Sequence, residues 1–157
     1  MKKAIFCGTF DPVTLGHVDV IKRASQLFDS LVVFVTPNTD KNTMFSNETR
    51  CKWLEEACKD LKNVSCEIQD GLTVDAASKV GAKFLVRGIR NGIDFQYEQN
   101  MDYMNQKIDK ELDTICFFTK PEYMYCSSSN VKEMMKYDLD FSSFVPSCVW
   151  EEWKESE

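Results

Sequence analysis

Short apolar runs alternate along the chain with longer segments of helical spacing. Residues 3–7 are apolar and stop at Gly8, which reads as a buried strand. From about Gly16 to Phe28 the period becomes helical, with Val20, Ile21, Ala24, Leu27 and Phe28 on one face. Leu31–Val35, rich in β-branched residues, reads as a second buried strand. A polar loop, Pro37 to Thr43, follows. Ser46 can cap the next helix, with Glu48 in its first turn; Leu54, Ala57, Cys58 and Leu61 mark its buried side. Val64–Ile68 alternates, as a strand with one exposed face at a sheet edge would. Asp70-Gly71 makes a turn, Thr73–Val80 a short helix closed by Gly81, and Phe84–Val86 another buried strand. A long helix starts near Asp94, with Tyr97, Met101, Met104 and Ile108 on one side. Thr114–Phe118 is the fifth strand. Ser127-Ser128-Ser129 precedes a helix carrying Val131, Met134 and Met135, and Pro146 introduces a last helix with Val149, Trp150 and Trp153.

Strands alternating with helices predict an α/β fold: a single Rossmann-like, doubly wound five-stranded parallel sheet with helices on both faces. The length of 157 residues suits one domain, 1–157, with one sizeable core. In such folds ligands bind beyond the carboxyl ends of the strands, where strand order reverses. Polar segments fall there after four strands: Gly8-Thr9, the loop with Lys41, Arg87 to Arg90, and the serine run.

Composition narrows the partners. The net charge of −6 disfavours non-specific nucleic-acid binding, so an anionic ligand requires cations gathered locally. No apolar run approaches the ~20 residues of a membrane span, and the N-terminal run is too short for a signal peptide. The 7 cysteines form no CxxC pair and several lie in apolar segments, which reads as buried thiols in a reducing cytoplasm.

The first strand and its turn carry the densest chemistry. Gly8 can supply a positive φ. Thr9 offers a hydroxyl and a backbone N–H, and Gly16 allows close approach of a phosphate. His17, the 1 histidine of the chain, falls in the first turn of a helix whose N-terminus attracts anions. It can bond a phosphate oxygen, whose charge favours the protonated ring. Neither G-x-G-x-x-G nor G-x-x-x-x-G-K-[ST] occurs, so dinucleotide binding of the Rossmann type and the P-loop are unsupported.

Gly8-Thr9-Phe10-Asp11-Pro12 with Thr14-Leu15-Gly16-His17 resembles the first signature of the nucleotidyltransferase superfamily, in the T-x-G-H variant of the bacterial phosphopantetheine adenylyltransferases. Ser127-Ser128-Ser129-Asn130-Val131-Lys132 resembles the second signature. Arg87-Gly88-Ile89-Arg90, Asp94-Phe95-Gln96-Tyr97-Glu98, and Lys41 with Met44-Phe45 extend the resemblance to nearly the whole chain. Cys7, Thr73 and Cys126 depart from that family's usual residues.

The resemblance implies AMP transfer from ATP to 4′-phosphopantetheine, giving dephospho-coenzyme A and pyrophosphate by direct in-line attack. It implies Thr9 on both substrates, His17 stabilising the transition state, and Lys41 and Arg87 on the acceptor phosphate. Thr73 lines the pantetheine arm. Phe10, Gly88, Ile89, Arg90 and Glu98 belong to the ATP site, and Tyr123, Met124, Tyr125, Cys126, Ser127, Ser128 and Ser129 close over the nucleotide. It further implies Mg2+ held mainly by phosphates and water, a homohexamer to which the apolar stripe of the long helix could contribute, and feedback by coenzyme A. The residues themselves leave ordinary readings open: Lys41 as a solvated lysine, Arg90 with Glu98 as a surface pair, the serines as a helix cap. Other acceptors (nicotinamide mononucleotide, glycerol phosphate) and a non-catalytic nucleotide-binding module remain alternatives.

Overall fold

The computed structural model describes residues 1–37 and 42–157. Five strands, β1 (Lys3–Gly8), β2 (Ser30–Val35), β3 (Val64–Ile68), β4 (Phe84–Ile89) and β5 (Asp113–Phe118), form one parallel sheet in the order β3-β2-β1-β4-β5. The helices are α1 (Leu15–Ser25), α2 (Asn47–Ala57), α3 (Thr73–Val80), α4 (Gly92–Ile108), α5 (Ser128–Lys136) and α6 (Ser147–Glu155). This is the expected Rossmann-like α/β architecture, with β3 at an edge.

Alternation along the strands sorts the core into two layers. Ala4, Phe6, Leu31, Val33 and Val35 point toward α1, α2, α5 and α6. Ile5, Cys7, Val32, Phe34 and Leu85 point the other way, onto α3. A strand buried on both faces reads as a continuous apolar run, which is why β1 and β2 stand out in the sequence. Trp150 and Trp153 clasp α6 to the core: Phe141 packs edge-on to Trp150 at 4.9 Å, and Phe45 to Trp153 at 6.3 Å. Ser46 caps α2 by accepting from the Thr49 N–H (3.1 Å), and Gly81 ends α3 at φ 73°.

Some expectations shift. β4 continues through Arg87, Gly88 and Ile89, so these residues are strand and not loop. α1 ends at Ser25, which leaves Leu27 exposed. The stripe on α4 faces outward: Tyr97, Met104 and Ile108 are exposed, while Glu98 and Asn105 are the buried residues.

β1 and β2 pair along their full length, Lys3–Ser30 to Gly8–Val35. β1 and β4 pair through Ala4–Phe84 and Ile5–Leu85. Past that point lie Phe6–Gly8 and Arg87–Gly88, which line a cleft. The chain also reverses direction across the sheet between β1 and β4, so the opening sits at the topological switch.

Candidate active site

The turn after β1 is fixed by packing from above and by charge from below. Phe10 has φ 48°, a left-handed conformation rare for a side chain of this size. Its buried ring stands edge-on to Phe6 (5.4 Å between centroids) and to His17 (4.9 Å). A Cβ on Gly8 would come within 2.9 Å of that ring. The positive φ expected at Gly8 therefore falls on Phe10, and Gly8 serves by leaving room.

Beneath the turn, Arg50 of α2 is fully buried. Its guanidinium donates to the carbonyls of Thr9 (2.6 Å), Thr36 (3.1 Å) and Phe45 (3.0 Å), and to the Asn47 side chain. Burial lowers its pKa, opposed by Asp11 and Glu48; at neutral pH the group stays charged. The buried Asp11 carboxylate accepts from the N–H groups of Met44 (2.8 Å) and Phe45 (3.0 Å) and from the Lys132 ammonium (3.1 Å). Arg50, Asp11 and Lys132 tie the turn to the start of α2 and to α5. Sequence reasoning gave none of them a role; Asp11 and Lys132 fall within the two signature segments, and Arg50 carries no signal.

Thr14 and His17 form a capping box at the start of α1. Thr14 Oγ1 accepts from the His17 N–H (3.4 Å), while His17 Nδ1 accepts from the Thr14 N–H (3.0 Å). Histidine here takes the place glutamate or glutamine usually fills. An Nδ1 that accepts leaves the proton on Nε2 of a neutral ring. Burial, then the positive charges of Arg87 and Arg90, pull the His17 pKa down to about 4. The free protein thus presents a neutral Nε2–H donor, in place of the protonated ring expected beside a phosphate. Thr14 Oγ1 also donates to the Cys126 carbonyl (2.9 Å). A Cβ on Gly16 would lie 3.4 Å from that oxygen, so this glycine admits the segment before α5.

On β4, the Arg87 guanidinium meets both oxygens of Glu98: Nε to Oε1 at 2.8 Å and Nη2 to Oε2 at 2.8 Å. Its Nη1 donates to the Cys7 carbonyl. Arg90 pairs with Asp94 at 3.0 Å, so the surface pair Arg90–Glu98 does not form. Burial raises the Asp94 pKa, but hydrogen bonds from Arg90 outweigh it and leave the carboxyl below its ordinary value. In the serine run, Ser127 Oγ accepts from the Asn130 N–H (3.0 Å) as the α5 cap, and Ser128 Oγ donates to the Pro12 carbonyl (2.8 Å).

These elements enclose a cleft of about 390 Å³. It brings together Thr9, Phe10, His17, Arg87, Gly88, Arg90, Glu98, Tyr123, Cys126, Ser127, Ser128 and Ser129. Ile89, Met124, Tyr125 and Thr73 lie off its lining. Lys41 lies outside the described residues. Thr73 stands at the start of α3; Cys7 lines the cleft, and burial pushes its thiol up to about 11, opposed by Arg87 and Thr73. Cys7, Asp94, Tyr97 and Thr119 join the lining without having been assigned from the sequence. Among the described residues no group of three histidine, cysteine or acidic side chains could hold a metal, and both carboxylates of the cleft are taken by arginines.

The cleft thus offers guanidinium, imidazole, hydroxyl and backbone N–H donors, and burial keeps its two thiols, Cys7 and Cys126, protonated. That donor set suits positioning of phosphates more than covalent catalysis. A cytidylyltransferase-like family profile matches residues 5–134. The phosphopantetheine adenylyltransferase of Lachnoclostridium phytofermentans is 50% identical over 95% of this chain and 91% of its own. That of Limosilactobacillus reuteri is 46% identical over 98% and 89%, and that of Streptococcus pneumoniae 43% over 96% and 94%. Among solved structures, a Vibrio parahaemolyticus protein described as a nicotinate-nucleotide adenylyltransferase superposes with TM-score 0.71 at 24% identity, covering 96% of this chain and 91% of that one; at that identity it speaks for the fold. The chain belongs to the cytidylyltransferase-like family of nucleotidyltransferases and, within it, to the phosphopantetheine adenylyltransferases.

Proposed function

We propose that the chain, as a single domain over residues 1–157, transfers the adenylyl group of ATP to 4′-phosphopantetheine. A phosphate oxygen of the acceptor attacks the α-phosphorus in line. The bond from that phosphorus to the oxygen bridging to the β-phosphate breaks, and pyrophosphate leaves with the electron pair. The acceptor is its own nucleophile, so no enzyme-bound intermediate forms. What the reaction needs is alignment of two anions and donors aimed at developing charge.

The observation that carries this reading is the neutral His17, held by Thr14 with Nε2–H free, in one cleft with Thr9 and Arg87. His17 donates to the α-phosphate oxygens as charge builds on them. Thr9 contacts both substrates. Arg87, with Lys41, holds the acceptor phosphate. Gly88, Ile89, Arg90 and the segment from Tyr123 to Ser129 serve ATP, and Thr73 the pantetheine arm. Magnesium would be held by the oxygens of the triphosphate and by water and would neutralise charge there, since Asp94 and Glu98 are paired with arginines.

The exposed apolar residues of α4, among them Ile93 and Ile108, support assembly into a homohexamer. Seven free thiols fit the cytoplasm. No helix among the described residues is long and apolar enough to cross a membrane. Coenzyme A shares the pantetheine arm with the substrate and competes for its site.

His17→Ala tests the reading. It is expected to lower kcat by about 10²–10³-fold, the usual cost of one transition-state donor, with little change in ATP affinity. Near-normal turnover would remove His17 from its role. ATP binding without wild-type turnover would favour the non-catalytic nucleotide-binding module.

A further inference from the structure

Arg50 is the bulkiest of the fully buried side chains, and it carries a charge. A buried cation is costly unless its donors find acceptors and a counter-charge lies near. Arg50 has both. Thr9, Thr36 and Phe45 supply backbone carbonyls, and Asn47 supplies a side-chain oxygen. Asp11 stands close enough to favour the charged form. An apolar plug of similar volume would stabilise a core at least as well as such an arrangement. The guanidinium is therefore examined for what it orients.

β1 and β2 pair as far as Gly8–Val35, and the ladder ends with the Thr36 N–H on the Gly8 carbonyl (2.8 Å). The next carbonyl on each side, that of Thr9 and that of Thr36, accepts from one nitrogen of Arg50, Nη1, at 2.6 and 3.1 Å. The peptide bond between Thr9 and Phe10 is trans. A trans peptide is planar, so its C=O and N–H point in opposite directions. With the Thr9 carbonyl drawn down onto Arg50, the Phe10 N–H points up, toward the cleft that Thr9 and Phe10 line. Among the described residues that N–H has no acceptor. The buried Phe10 ring, edge-on to Phe6 and 4.9 Å from the His17 ring, fixes the other end of the same peptide. His17 and the Phe10 N–H thus border one part of the cleft.

We propose that Arg50 is a positioning residue for adenylyl transfer: by holding the Thr9 carbonyl, it aims the Phe10 N–H at the α-phosphate oxygens. This rests on the reading of the cleft as the ATP site. Arg50 touches no substrate and acts only through the Thr9–Phe10 peptide. A backbone donor fixed in advance stabilises charge as it develops and needs no reorganisation during the reaction. Arg50→Lys keeps a charge beside Asp11 but loses the planar fork that serves four acceptors. It is expected to lower kcat by about 10–10²-fold, the cost of misplacing one such donor. KM for either substrate should change less than about threefold.

The test joins steady-state kinetics, with each substrate varied, to amide-proton NMR on wild type and Arg50→Lys. Thermal unfolding of both is recorded. The probe for NMR is α,β-methylene ATP with Mg2+. The wild-type Phe10 amide proton is expected to move downfield as the analogue binds, and Arg50→Lys to reduce that movement. A side chain with a structural role alone would lower the unfolding midpoint and leave kcat and the Phe10 shift untouched well below it. Unchanged kcat in Arg50→Lys, a rise in KM alone, or a wild-type Phe10 amide that ignores the bound analogue would overturn the proposal. A wild type that neither binds the analogue nor turns over would instead overturn the reading of the cleft, and the proposal with it. Should Arg50→Lys fail to fold, Asn47→Ala removes one acceptor from the guanidinium at the start of α2. A smaller fall in kcat is then expected, with KM unchanged, and its absence counts against the proposal.

Discussion

His17 divides its two ring nitrogens between structure and chemistry. Nδ1 accepts the Thr14 N–H and completes the start of α1; Nε2 is left for the cleft. A proton on Nδ1 would break the cap, and burial, with the charges of Arg87 and Arg90, pulls the ring's pKa down to about 4. The sign of the pH effect follows. The unfolded chain binds a proton at His17 near the ordinary value of ~6.5, while the folded chain does so only near 4. Stability from this residue is therefore complete above about 6.5 and is lost as pH falls toward 4. Because His17 is the only 1 histidine, His17→Gln isolates the effect. Urea midpoints should show the wild type losing more stability than the variant between pH 6.5 and 4.5. Parallel curves would mean that the fold does not hold His17 neutral. At this scale the sequence was least legible. Histidine at the third helical position is an unusual partner in a capping box. The positive φ of Phe10 was assigned to Gly8, because glycine is the usual carrier. Arg50 carried no sequence signal, because Thr9 and Thr36, two of its acceptors, come from distant parts of the chain.

The elements were easier to read, for physical reasons that differ among them. β1 and β2 are buried on both faces and so show as unbroken apolar runs. Ser46 and Gly81 announce helix ends by chemistry that acts locally. α4 was located, but its orientation was not. Its apolar stripe suggests a core-facing side, yet the buried residues are Asn105 and Glu98, the latter paired with Arg87. A pairing across 11 positions between strand and helix leaves no periodic trace. The outward stripe then calls for a covering surface. Ile108 is 64% exposed and Ile93 79%. The double variant Ile93→Glu/Ile108→Glu is expected to shift the solution mass of the proposed homohexamer toward smaller species, as measured by light scattering, since buried like charges oppose an apolar contact. An unchanged mass would place the interface elsewhere.

At the scale of the molecule, the site lies where the strand order of the sheet reverses. β1 and β4 share two register pairs and then present their ends to the same opening. Three segments bring donors there: the turn after β1, the end of β4, and the start of α5. A chain of net charge −6 thereby keeps two arginines and a histidine at one anion-binding cleft. That distribution was visible in the sequence, because the fold rule places such segments at one sheet end. The contacts that hold the arginines were not, since they depend on which helix covers which strand. The central claim concerns the acceptor, and pyrophosphate release from ATP tests it most directly. Phosphopantetheine, nicotinamide mononucleotide and glycerol phosphate would be offered in parallel with Mg2+ present. The account predicts turnover with phosphopantetheine and background release with the other two. No release with phosphopantetheine, or faster release with either alternative, would contradict it.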